Sequence, residues 1–302
     1  MLGPIKKLFK DIVRLKRLSY KEYWRAVPFD NTYPWLSHVF LKLIGDKRIA
    51  LKPMYAWGVL QAAALAKVLK LPSISVIEFG VAGGAGLLSL EAAALRVRDI
   101  TGVAVRTYGF DTGQGLPKPI DYRDQPNMWF EGQLPMNRNQ LEGALREASL
   151  VIGPVCETVP RFVSQVHAPI GFISFDLDLY SSTRQAFDVF LGKPESLLPR
   201  VACYFDDIYG HTYNDFCGER LAIKEFNERN EERKISAMHG LRYFLPGVGA
   251  KEPWVDAMYF AHVFDHPCYN DLDSLNKAVL TDIHGTDHRC PPSSDWRGVL
   301  QT

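Results

Sequence analysis

The period of the apolar residues changes several times along the chain, and each change predicts an element. Over residues 4–26, Ile5, Leu8, Phe9, Ile12, Val13, Leu15 and Leu18 recur at helical spacing with Lys6, Lys7, Lys10, Arg14, Lys16 and Arg17 between them, which predicts a basic amphipathic helix. Its apolar stripe suits packing on the body or on a second subunit, and its basic face is left to solvent, to an acidic partner or to a membrane surface. Residues 31–53 are mixed, with Tyr33, Pro34, Trp35 and Phe40, and read as a lid or an interface. Residues 54–71 predict a helix with an alanine-rich face, stopped by Pro72. A short apolar run then starts at Val76, is interrupted by Glu78, and ends in glycines at 80, 83, 84 and 86 before a helix over 87–97. That is a strand, a tight turn and a helix start.

The alternation continues. Residues 103–111 predict a second strand ending in Asp111, 141–148 a short helix, 150–155 a third strand, and 170–176 a fourth whose nearly unbroken apolar run implies burial on both faces. Ser181 or Ser182 is placed to cap the helix that runs on through Phe190. A fifth strand spans 201–206, and 221–233 is a helix with Leu221, Ala222, Ile223 and Phe226 on its inner side. Two further strands, 234–245 and 254–264, are joined by residues 246–253 alone, a hairpin-length link that implies antiparallel pairing. The predicted fold is therefore α/β: a Rossmann-like doubly wound sheet of five parallel strands closed by a C-terminal antiparallel hairpin, with an N-terminal helical extension. Residues 1–72 make up that extension and lid, 73–266 the core, and 267–302 a polar tail. The stretch 112–139, rich in Gly, Pro and Asp with Tyr122, Trp129 and Phe130, is too long for a connector and reads as an active-site insertion.

Composition narrows the functional classes. With 302 residues, 47% hydrophobic and 23% charged, the chain reads as one sizeable soluble domain with additions. A net charge of +1 argues against a general attraction to nucleic acid. No stretch qualifies as a membrane span or a secretory signal, and the five scattered cysteines form no CxxC pair, which suits a reducing cytoplasm. His266, Cys268, His284, His288 and Cys290 in the tail match no standard zinc spacing.

In an open α/β sheet, ligands gather beyond the carboxyl ends of the strands. The glycines after the first strand allow close backbone approach to a nucleotide-like ligand, with free N–H groups at the helix start. Glu78, beneath that turn, can bond a positively charged part of a cofactor or the neighbouring backbone. Asp111 can accept both hydroxyls of a ribose or cap the following turn. Asp176 and Asp206 stand 30 positions apart, one strand-helix-strand step, so neighbouring parallel strands bring them into one cleft with Asp178 and Asp207. Converging carboxylates repel unless a cation neutralises them, and hard oxygen ligands suit Mg²⁺ or a similar ion.

Four segments, Glu78-Phe-Gly-Val-Ala-Gly-Gly84, Gly109-Phe-Asp-Thr-Gly-Gln-Gly-Leu-Pro117, Asp176-Leu-Asp-Leu-Tyr-Ser-Ser-Thr183 and Phe205-Asp-Asp207, occur in that order within residues 76–210. Together they resemble the class I S-adenosylmethionine-dependent methyltransferases, and among these the macrocin O-methyltransferase group of bacterial sugar O-methyltransferases. The resemblance implies that Gly80, with Gly83, Gly84 and Glu78, holds the methionine part of S-adenosylmethionine, that Asp111 holds the ribose, and that Glu157 and Thr158 lie by the adenine. It also implies that Asp176, Asp206 and Asp207 hold Mg²⁺, Asp176 lying beside the cofactor as well. The acceptor would be a hydroxylated small molecule such as a glycoside or secondary metabolite, activated by the metal.

The chain departs from the pattern in two places. Relatives that act on catechols carry a lysine three residues after the first metal aspartate, where this chain has Leu179, so the proton acceptor falls to His211 or Asp178. Sugar-methylating relatives carry Phe-Glu-Gly where this chain has Gly113-Gln-Gly115. Two other readings are a nicotinamide-dependent oxidoreductase, whose fingerprint wants an acidic residue nearer the glycines than Asp111, and a non-catalytic cofactor-binding protein on the same fold. The partners expected are the small-molecule acceptor and a second copy of the chain through the N-terminal helix, with no nucleic acid and no stable membrane insertion.

Overall fold

A computed structural model describes residues 33–45, 51–165, 167–210, 212–245 and 252–270. The amphipathic helix expected over 4–26, His211, and the tail residues His284, His288 and Cys290 lie outside the described residues. Seven strands form one sheet in the order β3-β2-β1-β4-β5-β7-β6. They are β1 Ser73–Phe79, β2 Ala104–Asp111, β3 Ser149–Ile152, β4 Ile170–Phe175, β5 Leu197–Phe205, β6 Arg233–Ala237 and β7 Met258–Val263. Strands β1 to β5 are parallel, and β7 runs antiparallel to both β5 and β6. The doubly wound sheet with an antiparallel C-terminal pair is the predicted fold. Among the described residues, no helix is long and apolar enough to cross a membrane.

Helices α1 Tyr33–Ile44 and α2 Pro53–Val68 precede the sheet; α3 Ala85–Thr101, α4 Arg138–Ala144, α5 Val155–Val163, α6 Tyr180–Ala186, α7 Gly218–Arg229 and α8 Leu241–Phe244 follow in the connections. Helix α2 buries Tyr55, Trp57, Val59 and Leu60 together with its alanines. A helix apolar on every side belongs in an interior, and α2 packs between α1 and α3 and against β4 and β5. Its small side chains permit this approach, since a β-carbon on Gly58 would collide with the Phe172 ring of β4.

Four phenylalanines align across the sheet just below the carboxyl ends. Phe79 of β1 is in register with Phe110 of β2 and Phe175 of β4, and Phe175 with Phe205 of β5. Phe175 stacks on Phe79 at 5.5 Å and on Phe205 at 4.8 Å between ring centroids. All four are fully buried, and such contacts contribute about 0.5–1.5 kcal/mol each beyond area burial. The next residue on each strand is Gly80, Asp111, Asp176 or Asp206, so this row sets the level at which the polar residues emerge.

Several expectations need correction. The last two strands pair antiparallel as expected, but their link is longer than residues 246–253: β6 ends at Ala237, and residues between it and Met258 include α8 and a 3₁₀ turn over Pro253–Ala257. The apolar residues read as strand pack on α1 instead, where Phe244 C=O accepts from Ser37 Oγ at 2.6 Å and Trp254 meets Phe40 edge-on. The third strand stops at Ile152, and α5 follows from Val155; Pro154 before it and Pro160 inside it hide the helix from a sequence reading. Strand β5 begins at Leu197, ahead of the expected start at 201. Neither Ser181 nor Ser182 caps α6, whose N-cap is Leu179. The capping carboxylate comes from the insertion, where Asp124 accepts the Ser181 N–H at 2.7 Å and the Ile120 N–H at 2.8 Å.

Candidate active site

A cavity of about 490 Å³ lies beyond the carboxyl ends of β1, β2 and β4. The glycine turn 80–86, Asp111, residues 115–118 and Ile120 of the insertion, residues 153–156, and Asp176 to Asp178 line it. The insertion is thus one wall of the cleft. It is pinned by Asp124 and by paired backbone bonds between Leu116 and residues 132–133.

The turn is shaped for close approach. Gly80 has φ +83°, and a β-carbon there would collide with the Asp176 carbonyl, so only glycine fits between β1 and β4. Gly83 faces open space and Gly84 is the N-cap of α3. Both line the cavity with Gly80 and Glu78.

Glu78 is 1% exposed. Its Oε1 accepts the Tyr55 hydroxyl at 2.5 Å, and that hydroxyl accepts from Ser174 Oγ at 3.0 Å. Its Oε2 has no partner. Burial pushes the Glu78 carboxyl up to about 8, with the Tyr55 bond and the Lys52 charge pulling the other way. A buried oxygen left unpaired costs about 1–3 kcal/mol, and this one belongs to a residue that lines the cavity, so a ligand donor there would satisfy it.

Asp111 organises two turns. Its Oδ2 accepts from the N–H groups of Val81 and Ala82, both at 2.9 Å, and its Oδ1 from Gly113 N–H at 2.6 Å. A carboxylate offers about four lone-pair sites, so one remains for a ligand.

Asp176 and Asp178, which line the same cavity, and Asp207 bring carboxylate oxygens within 4.8 Å of one another. Asp178 has φ +60°, and Leu179 N–H bonds back to Leu177 C=O at 2.5 Å, folding a tight turn over it. Its own N–H donates to Asp207 Oδ2 at 3.2 Å, and Tyr213 O–H donates to Asp207 Oδ1 at 2.6 Å. Glu219, also buried, accepts the Asp207 N–H at 3.0 Å and leaves Oε1 unpaired. Burial and then the neighbouring carboxylates raise Asp176 to about 7 and Asp178 to about 8; burial raises Asp207, and burial with the Asp207 charge raises Glu219. Like charges gathered in low dielectric hold protons or a cation, and three hard oxygen donors with an unpaired oxygen behind them fit Mg²⁺.

No protein-family model matches the chain, and no curated protein does. Among solved structures, the chain is similar to the calicheamicin methyltransferase CalS11 (22% identity, 79% of this chain, 95% of that one, TM-score 0.47). It is also similar to the O-methyltransferase NovP (13%, 77% and 100%, TM-score 0.49) and to the mycinamycin-pathway methyltransferase MycE solved with Mg and SAH (14%, 76% and 54%, TM-score 0.36).

The site departs from the sequence expectation at three points. Asp206 follows the row of phenylalanines as foreseen and its Oδ1 accepts from Tyr204 O–H at 2.8 Å, while Asp178 joins Asp176 and Asp207 in the converging set. Glu157 lies exposed beside Arg161, and the Thr158 hydroxyl donates to Pro154 C=O at 3.0 Å, so neither lines the cavity; Val155 and Cys156 do. His266 and Cys268 bond each other through a backbone N–H and belong to no metal-binding group among the described residues. Sequence reasoning missed Tyr55, Ser174, Tyr213 and Glu219. Glu219 carried a signal, an acidic residue in the first turn of a helix just after the aspartate pair.

Proposed function

We propose that this chain is an S-adenosylmethionine-dependent O-methyltransferase, assisted by Mg²⁺, that acts on a hydroxylated small molecule such as a glycoside or secondary metabolite. The observation that carries the reading is the unpaired Oε2 of buried Glu78, which shares one cavity with the carboxylates of Asp176 and Asp178. One end of the cleft calls for a cationic donor on a ligand, and the other for a divalent ion. A cofactor with an α-amino group at the first and an acceptor hydroxyl held at the second meets both demands.

Glu78 would accept from the cofactor's ammonium, the turn from Gly80 to Gly84 would admit its methionine part, and Asp111 would accept one ribose hydroxyl. Residues Pro154 to Cys156, at the carboxyl end of β3, take the adenine side in place of Glu157 and Thr158. When bound, S-adenosylmethionine supplies the methyl group and Mg²⁺ supplies the positive charge that lowers an acceptor hydroxyl's pKa. Asp176, Asp178 and Asp207 would hold the ion, with Asp206 adjacent in the chain. Leu179, where a lysine stands in catechol-acting relatives, is fully buried and offers no base. Asp178 being drawn into the ion-holding set, the hydroxyl proton passes to His211, four positions beyond Asp207, a role that rests on sequence position. Holding the hydroxyl and the methyl donor in one small cavity removes much of the entropic barrier to transfer.

Differential scanning fluorimetry with S-adenosylhomocysteine tests the reading. A rise in melting temperature with the cofactor product, and methyl transfer to hydroxylated acceptors that EDTA abolishes, are expected. No shift with S-adenosylhomocysteine would overturn the assignment.

A further inference from the structure

Glu78 accounts for a positive group on the ligand and leaves the matching negative group without a partner. Lys52 faces the same cavity from the opposite element, at the N-cap of α2. Its backbone is clamped: the N–H donates to Ser89 Oγ of α3 at 2.6 Å, and the C=O accepts from Tyr55 and Ala56 N–H, both at 3.1 Å. Its ammonium rests over the Tyr55 ring, 4.9 Å from the centroid, while the hydroxyl of the same ring holds Glu78 Oε1. Tyr55 therefore stands between a cation and a carboxylate that both look into the cavity. The Lys52 charge is felt by Glu78 and by Asp176, yet Glu78 Oε2 accepts no bond from it. An ammonium and a buried carboxyl that face one space without joining are complementary to a zwitterion, whose own ammonium would draw the carboxyl into its ionised form. The other lysine lining the cavity, Lys118, is exposed on the insertion.

We propose that Lys52 anchors the α-carboxylate of the cofactor's amino-acid end, while Glu78 takes its α-ammonium across the Tyr55 ring. The inference rests on the reading that the cavity receives S-adenosylmethionine, and adds to it a residue outside the motifs that suggested the cofactor. An ammonium placed there selects ligands that keep the carboxylate, since a charge-assisted bond is stronger than a neutral one.

Isothermal titration calorimetry with two ligands tests it. S-adenosylhomocysteine carries the amino-acid end and 5′-methylthioadenosine lacks it. Lys52→Met keeps the aliphatic stem and removes the charge. It is expected to weaken S-adenosylhomocysteine about 10- to 100-fold, the scale of one charged hydrogen bond, and to leave 5′-methylthioadenosine unchanged. Lys52→Arg is expected to recover part of the loss. Equal affinity of wild type and Lys52→Met for S-adenosylhomocysteine overturns the role of Lys52 and leaves the cofactor reading standing. Equal weakening of both ligands makes Lys52 a support for the fold and also overturns it. A wild-type protein that binds neither ligand removes the cofactor reading and this inference with it.

Discussion

A β-carbon on Gly86 would overlap Glu78 Oε1, so the first turn of α3 and the carboxylate beneath it share a space that only glycine leaves open. Gly86→Ala must push Glu78 off the Tyr55 hydroxyl or lift the helix start. Overpacking of this kind costs about 1–3 kcal/mol, and the displaced carboxylate should also cost cofactor affinity. Gly143→Ala is the control, because nothing lies within 4 Å of its β-carbon and it stands outside the cavity lining. Thermal melts and S-adenosylhomocysteine titrations of the two variants should separate clearly; equal behaviour would contradict the shared space.

Tyr55→Phe removes the donor to Glu78 Oε1 and the acceptor of Ser174 Oγ. Two buried groups lose a partner, so a loss of about 1–3 kcal/mol in urea unfolding is expected. The Tyr55 bond opposes the upward push of burial on Glu78. Its removal should therefore move that carboxyl higher still, which NMR titration of a labelled glutamate carboxyl can follow. A downward move would mean that the bond is not holding the ionised form.

The pH dependence follows from the same crowding. Glu78 and Asp178 are raised to about 8 and Asp176 to about 7. Raised carboxyls hold protons in the folded state that the unfolded chain has already released. Their contribution to stability is fully present below the unfolded values and is lost as pH rises through 7 to 8. In chelator, the melting temperature should fall over that range. Mg²⁺ needs the ionised oxygens, so the shift it produces should grow from pH 6 to pH 8.5. A Mg²⁺ shift that is flat with pH would argue against the carboxylates as its ligands.

The strands, their order of appearance and the level of the site were legible because four of the five parallel strands end in a marked pair. Phe79-Gly80, Phe110-Asp111, Phe175-Asp176 and Phe205-Asp206 each put a buried ring beside a residue of the cleft. What stayed hidden lies far away along the chain. Ser174 and Tyr55 are 119 positions apart, and no local period reports that they meet. Asp124 replacing a serine cap, and α8 replacing half of a strand, likewise depend on packing against distant elements. Asp178 entered the converging set through a left-handed backbone turn, which side-chain alternation along a strand does not encode.

That turn gives the sharpest test of the metal set. Sequence alone groups Asp206 with Asp207, whereas the geometry groups Asp178 with Asp207 and turns Asp206 to the Tyr204 hydroxyl. Asp207→Asn keeps the shape but removes one charge from the converging oxygens, and it should abolish the Mg²⁺-dependent thermal shift together with turnover. Asp206→Asn should behave as a loss behind the ligands, weakening Mg²⁺ by about 10- to 100-fold while saturating ion restores activity. Asp178→Asn should follow Asp207→Asn. The order of the three variants in Mg²⁺ titrations decides the matter: Asp206→Asn as damaging as Asp207→Asn, with Asp178→Asn mild, would return Asp206 to the ion and set Asp178 apart from it.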